Sequence, residues 1–471
     1  MATGPAATGS ARGGVRPAGA RPRIAYLSYS SGAFDARTAR MARSAVEAGY
    51  EVVVYARLQD GLPAVEERDG YRVVRAPWQW WRAIPGVRSV VPRLLILGGR
   101  SRTDGPAAPA SHPGGRGTAV KARVLRAAGP FGTALRAVFM FPVMPLAWAH
   151  GLEDAAEPAD IWHGMWAGSL PASARLARRH GGRTIYDSRD VYMESRLFAA
   201  TFSPLRTVLA RIERRWARRM DRVLTVNEAY ADLVARQLRV PRPPVVMNCP
   251  ARWRPGDPPP DRIRAALGLA GDTAIVLYQG QLLPDRGIEQ AMDAVLEVPG
   301  AVLVLLGFGP LRPDLEARAA VPPYLGRVFL LPPVPPDELV AWTASADVSV
   351  MPIAPTSLNH RHTTPQKLFE SLAAGVPVVA SDLPGMAEVV GGSGVGRLCD
   401  PGSPPSIAAA IRGLLEASPA DRAALRARIL AIAHERYAWE AQVDVLLELY
   451  RGLLGQAAPA RDLPVPSVPA T

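Results

Sequence analysis

Residues 363–390 read TTPQKLFESLAAGVPVVASDLPGMAEVV, and the way this stretch alternates decides the fold. Leu372-Ala373-Ala374-Gly375 ends a helix, since glycine readily takes the left-handed conformation that closes one. Val376-Pro377-Val378-Val379-Ala380-Ser381 then reads as a short buried strand. The helix carries Lys367, one of only two lysines (the other is Lys121) in a chain whose Lys and Arg together number 55. A lysine is a compact point charge where an arginine is a wide planar fork, and a tight site for one phosphate oxygen prefers the former. Glu370, three residues on, lies on the same helical face. Taken alone, a Lys/Glu pair also reads as an ordinary surface ion pair.

Outward from this stretch, the second half repeats one rhythm. Strands are expected at Thr273–Gln279, Ala301–Leu306, Arg327–Leu330, Val348–Met351 and Arg397–Cys399, with helices between them. The first half opens the same way. Arg23–Ser28 is a strand, Asp35 is the N-cap of a helix that runs to Ala48 before Gly49, and Glu51–Ala56 is the second strand. A third strand near Tyr71–Arg75, a strand ending at His163, another at Arg183–Asp187 and an Arg-studded amphipathic helix at Leu205–Met220 follow. The sequence then places a strand at Arg222–Val226 and a helix at Glu228–Leu238, and Pro244–Met247 closes the half. The fold class is therefore α/β, two Rossmann-like doubly wound parallel sheets. The expected organisation is a disordered tail at 1–22, a first domain at 23–250 with a basic insertion at 77–150, and a linker at 251–261 containing Pro258-Pro259-Pro260. A second domain at 262–434, a C-terminal helix at 435–454 packing back on the first domain, and a disordered tail at 455–471 complete it.

Composition narrows the function. The 471 residues suffice for two full cores. Cys249 and Cys399 are too few and too far apart for a disulfide framework, which suits a reducing cytoplasm. The N-terminal segment lacks the apolar core of a secretory signal. No uninterrupted apolar run reaches the roughly 18 residues that a membrane helix needs, and the longest, Ala137–Ala149, contains two prolines. Between Tyr71 and His150 twelve cationic residues face Asp104 alone, a net +11 of the chain's +13, with Trp78, Trp80, Trp81 and Trp148 close by. Such a segment suits peripheral contact with an anionic membrane or an anionic, lipid-linked acceptor; a solvated Arg-rich loop is the plain alternative. No motif for nucleic-acid recognition accompanies the charge. A Walker lysine, a dinucleotide Gly-x-Gly-x-x-Gly after the first strand and a Cys/His metal cluster are all missing, so no metal and no bound cofactor is expected.

The stretch from Thr363 to Val390 resembles the donor-sugar region of retaining GT-B glycosyltransferases of family GT4, glycosyltransferase group 1. That family carries a basic residue and a glutamate on one helix, then A-x-G-x-P-V-V-A-S-D and a Gly-x-x-Glu turn, here Gly385-Met386-Ala387-Glu388. Of its usual two glutamates Glu370 matches the second, while His362 occupies the position of the first. Leu358-Asn359 to Glu370 fits a subset of the family that reads L-N-x-x-x-x-x-P-x-K-x-F-E. The loop Tyr278–Gly287 resembles the family's diphosphate loop, with Gln281 for its first cation and Arg286 for its lysine. In the first half, Asp160-Ile161-Trp162-His163 resembles a family strand that ends in histidine. Ile185–Asp190 resembles a Tyr-Asp-Ser-His-Glu segment, and Asp35-Ala36-Arg37 an Asp-x-Arg element.

The resemblance implies a GT-B fold and transfer of a sugar from a nucleotide-diphosphate sugar to a glycan or lipid-linked hydroxyl acceptor. His163, Arg286 and Lys367 are the candidate catalytic residues. Donor binding is expected of Gly280, Arg286, Gly309, His362, Thr364, Lys367 and Glu370. Asp35, Arg37 and Asp187 stand on the acceptor side. His163 also reads as a structural histidine, and Gly307-x-Gly309 as a simple turn. A GT-B sugar-nucleotide epimerase and a non-catalytic GT-B scaffold remain rival readings.

Overall fold

The computed structural model describes residues 21–33, 35–77, 129–256 and 261–456. Most of the expected tails and of the basic insertion, with Trp78, Trp80, Trp81 and Lys121, lies outside the described residues.

In the first domain β1 (Arg23–Ser28), β2 (Glu51–Arg57), β4 (Tyr71–Ala76), β5 (Ile161–Met165), β6 (Arg183–Ser188) and β7 (Arg222–Thr225) are parallel. An antiparallel β3 (Val65–Arg68) borders β4, and the order is β3-β4-β2-β1-β5-β6-β7. In the second domain β8 (Ala274–Gln281), β9 (Ala301–Phe308), β10 (Val328–Leu331), β11 (Val348–Met351), β12 (Val378–Ser381) and β13 (Gly396–Cys399) are ordered β10-β9-β8-β11-β12-β13. Both parallel sheets reverse direction once, beside β1 and beside β8. Ligands of such sheets bind beyond the carboxyl ends of the strands at that reversal.

The central strands are buried on both faces and so read as continuous apolar runs. Ile24, Ala25, Tyr26 and Leu27 of β1 and Leu303, Val304 and Leu305 of β9 are fully buried. Each large side chain so buried contributes roughly 1.5–3 kcal/mol.

Three expectations are corrected. The strand expected near Tyr71 is the second arm of a hairpin, turned by Asp69 (φ 47°) and Gly70 (φ 80°). Asp-Gly with two positive φ angles is the tight turn that matches the twist of paired strands. Pro244–Met247, which closes the first half, meets the sheet through one bridge between Thr225 and Val245. Gly385-Met386-Ala387-Glu388 is no turn but the first part of the helix Pro384–Ser393. The Arg-studded helix runs Ser203–Ala217.

The helical run Gly132–Leu152 is long and apolar enough, by length and composition, to cross a membrane. It is broken at Phe141 (φ −158°, ψ 117°), and Ala137, Phe141, Ala147, Trp148 and Leu152 are fully buried in the first domain. The chain leaves the second domain through the helix Pro419–Glu435 and returns to the first with the helix Trp439–Leu454. There Trp439 and Tyr450 join the core around Tyr26 and Met41, and the Trp439 indole donates to Ser44 Oγ at 2.8 Å.

Candidate active site

A cleft of about 750 Å³ lies between the two domains at the carboxyl ends of both sheets. Its first-domain wall includes Asp35, Arg37, Arg189, Asp190, Tyr230 and Asn248; its second-domain wall includes Arg286, Thr356, Asn359, His360, Thr364 and Gln366.

On the second-domain side, Gly287 (φ 68°) precedes the helix Ile288–Leu296, and a Cβ there would fall 1.9 Å from Pro352 O. Only glycine fits, and the tight turn fixes Arg286 at the helix N-terminus, where backbone N–H groups favour an anion. Gly280 (φ 107°) lies behind: a Cβ would stand 3.8 Å from Lys367 Nζ.

Lys367 opens the helix Gln366–Ala373. The residue is half buried, but its Nζ is covered, has no hydrogen-bond partner and rests 3.6 Å from the Tyr278 ring centroid. Burial first, then Arg286, pushes its pKa down to about 7 against the pull of Glu370. The ion pair legible in sequence does not form. Glu370 instead accepts from Gln279 Nε2 at 2.9 Å and Gln366 Nε2 at 2.7 Å, and burial raises its pKa. A covered amine facing an aromatic ring and lacking a hydrogen-bond acceptor is costly unless an anion completes it.

The first-domain wall is arranged oppositely. Asp35 caps the helix Ala36–Glu47 through Thr38 N at 3.1 Å and accepts from Arg189 Nη1 at 2.9 Å. Arg37 holds Asp187 through two nitrogens, at 2.7 and 3.1 Å, and donates to Val246 O at 2.8 Å. Burial would raise both acids, but the arginines prevail: Asp35 falls to about 2 and Asp187 is lowered as well. Asp190 differs. Burial lifts it to about 6, and its carboxylate accepts from the Trp166 indole at 3.2 Å.

Asp187, expected on the acceptor side, is fully buried behind Arg37 and does not line the cleft, and three further expected site residues are placed elsewhere. His163 lies in the middle of β5, fully buried, with Nδ1 2.7 Å from Tyr450 Oη and its ring stacked on Tyr26. Burial drives its pKa down to about 3, so it is a neutral core histidine tying the C-terminal helix to the sheet rather than a cleft imidazole. Gly309 admits a backbone, not a ligand: a Cβ would fall 2.3 Å from Leu282 O. The His362 ring also turns from the cleft. Its Nδ1 lies 3.0 Å from Leu358 O, and its backbone carbonyl accepts from Asn227 Nδ2 at 2.9 Å.

Sequence reasoning missed the residues that join the domains. Asn359 accepts from Val191 N at 2.8 Å and donates to Val191 O at 3.1 Å, while Tyr230 donates to Asn359 O at 2.9 Å. Asn227 Nδ2 reaches Thr364 Oγ1 at 3.0 Å, and Asn248 Nδ2 reaches Gln366 Oε1 at 3.0 Å. Asn359 sat inside the quoted L-N-x-x-x-x-x-P-x-K motif; Asn227, which caps the helix Glu228–Leu238, and Tyr230 within it carried no signal of a contact between domains. Among the described residues no group of three or more His, Cys, Asp or Glu side chains could hold a metal ion.

Comparison with known proteins agrees with this geometry. Residues 32–251 match the family model of the glycosyl transferase 4-like domain, and residues 273–417 that of glycosyl transferases group 1. The chain belongs to the group 1 glycosyltransferases and has their GT-B fold. It is 34% identical over 223 residues to the D-inositol 3-phosphate glycosyltransferase of Acidothermus cellulolyticus, covering 44% of this chain and 46% of that one. To the Mycobacterium marinum protein of the same name it is 29% identical over 215 residues, 44% of each chain. The match thus spans about half the length of these relatives. Among solved structures, sucrose-phosphate synthase from Thermosynechococcus elongatus superposes with a TM-score of 0.68 at 18% identity, covering 92% of this chain and 100% of that chain. Anabaena HepE, solved in complex with UDP, gives 0.64 at 16% identity, covering 91% and 100%. At these identities the superpositions speak for the fold.

Proposed function

We propose that this protein transfers a sugar from a nucleotide-diphosphate sugar to a hydroxyl acceptor, with retention at the anomeric carbon and without a metal ion. The observation that carries the reading is the covered Lys367 amine, without a hydrogen-bond partner, beside Arg286 at the carboxyl end of the second sheet. The bond that breaks joins the anomeric carbon to the diphosphate oxygen; the one that forms joins that carbon to the acceptor oxygen, and the acceptor's proton leaves with the diphosphate. Negative charge grows on the departing oxygen, where Lys367, Arg286 and the N-terminus of the helix Ile288–Leu296 stabilise it. Glu370, held by Gln279 and Gln366, is placed to accept from nucleotide hydroxyls, and Thr364 to contact the donor. The acceptor enters along the wall of Asp35, Arg37 and Asp190, with the buried Asp187 holding Arg37 from behind.

The family, and relatives named as inositol-phosphate glycosyltransferases, support a polyol or glycan acceptor; the basic insertion supports a lipid-linked one. We place the protein at the cytoplasmic face of the membrane, in synthesis of cell-surface polysaccharide or glycolipid.

The test is turnover of a panel of UDP- and GDP-sugars with and without candidate acceptors, in EDTA, with the product's anomeric configuration read by NMR. Acceptor-dependent release of nucleotide and a retained configuration are expected. Full loss in EDTA restored by Mg²⁺ overturns the metal-free reading. Donor conversion that ignores acceptors would indicate an epimerase, and nucleotide binding with no turnover a scaffold.

A further inference from the structure

The Arg-studded helix Ser203–Ala217 takes no part in the cleft chemistry, yet its outer face has a consistent character. Phe202, just before it, is 53% exposed and Val208 46% exposed. Arg211, Arg215, Arg218 and Arg219 follow on the exposed side at helical spacing. None of the four has a carboxylate partner among the described residues. The helix's one acid, Glu213, points inward and accepts from Tyr186 Oη at 3.1 Å. Asp221, just beyond, is tied to Thr184 N at 2.8 Å and Arg183 Nη1 at 3.0 Å. Glu194, 3.9 Å from Arg206, and Asp221 are the acids at its edges, and the outward face of the helix itself carries only positive charge.

A second element extends the face. The Phe141 and Trp216 rings pack edge to face at 5.0 Å, joining the helical run Gly129–Leu152 to this helix. That run exposes Leu135 (63%), Phe139 (43%) and Leu146 (37%), and Leu146 shares a small cavity with Arg178, Trp216 and Arg219. Exposed large apolar side chains scattered singly need no explanation, but several on adjoining helices beside unpaired arginines do. A flat array of apolar side chains flanked by cations matches the headgroup–acyl boundary of an anionic leaflet: the apolar groups enter it and the guanidinium groups stay at the phosphates.

We infer that the outer face of the helix Ser203–Ala217, together with the adjoining run Gly129–Leu152, docks this protein onto an anionic phospholipid bilayer. The inference rests on the membrane placement proposed above and names the surface that would make it; that surface lies outside the cleft, so vesicle binding is read separately from sugar transfer.

The test is co-sedimentation of the full chain with phosphatidylcholine vesicles and with vesicles of equal parts phosphatidylcholine and phosphatidylglycerol, at low and high salt. Wild type is expected to pellet with the anionic vesicles at low salt and to be released by salt. The double charge reversal Arg211→Glu/Arg215→Glu should weaken this by at least about ten-fold. The pair Arg422→Glu/Arg428→Glu, equally exposed on the second domain, should change it far less. Phe202→Ser/Val208→Ser keeps the charge and should still lose binding several-fold. Circular dichroism and the melting temperature report that each variant folds. Binding to both vesicle types alike, or to neither, overturns the inference. So does equal loss from the second-domain pair, or retention on an RNA oligonucleotide as tight as on vesicles and indifferent to Phe202→Ser/Val208→Ser.

Discussion

The two domains repeat one sheet but treat charge at the ligand end in opposite ways. Beyond β1, β5 and β6 the cations are committed: Arg37 to Asp187, and Arg189 to Asp35. Beyond β8 and β11, Lys367 is covered with no hydrogen-bond partner, and Arg286 stands beside it in the cleft wall. The first domain therefore uses its charges to hold its own loops, while the second leaves the Lys367 amine without a hydrogen-bond partner. Closed networks rigidify a wall; an incomplete one binds.

Breaking a closed pair should have the largest effect. Arg37→Ala leaves Asp187 fully buried without its main partner and is expected to destabilise the fold by about 3–5 kcal/mol, measured by urea denaturation. A loss under about 1 kcal/mol would show that the first-domain network holds less than its geometry implies. Lys367→Ala should do the reverse, preserving the fold while lowering nucleotide-sugar turnover by about 2–4 kcal/mol of transition-state stabilisation. Turnover within a few-fold of wild type would remove Lys367 from the reaction.

The same amine gives a pH signature. Its folded pKa of about 7 lies below the ordinary 10.5, so between those values the unfolded chain binds the extra proton. Stability of the ligand-free protein should then rise with pH across that window, and Lys367→Met should flatten the rise in thermal melts. Bound diphosphate favours the charged amine, so UDP affinity should fall as pH rises through about 7 and above. A slope unchanged in Lys367→Met would mean that another group titrates.

His163→Phe separates a core histidine from a catalytic one. We expect about 1–3 kcal/mol of lost stability from the broken bond to Tyr450, with turnover within a few-fold of wild type. A collapse of turnover with stability intact would return His163 to the reaction. The smallest effect is expected from Asn359→Ala, which removes two of the hydrogen bonds between the domains, about 0.5–1.5 kcal/mol each. A weaker nucleotide affinity with little change in melting temperature would show that those bonds set the closure of the cleft.

Much of the fold was legible because its signals are local. The β-rich apolar runs of β1, β8 and β9, the Asp35 cap and the glycine stop before Val376 each act within a few residues. Asp69-Gly70 was equally local and was passed over, which cost the β3 hairpin. The second-domain site was legible for the same reason: Arg286, Lys367 and Glu370 lie on two short segments whose turn and helix fix their directions. The first-domain site was not. Asp35 and Arg189 are 154 positions apart, Arg37 and Asp187 150, and no spacing rule reports a contact closed across a sheet.

The sequence by itself determined the two doubly wound sheets and the isolated lysine, because periodicity, capping and composition act along the chain. Only the tertiary structure decided that Lys367 pairs with Tyr278 rather than Glu370, that His163 is sealed under Tyr450 287 positions away, and that Asn359 joins the domains. Each of these depends on which groups burial brings together and which it separates from water. Burial is a property of the assembled chain: the same imidazole or ammonium, at the same place in the sequence, is a ligand, a catalyst or a strut according to what closes over it.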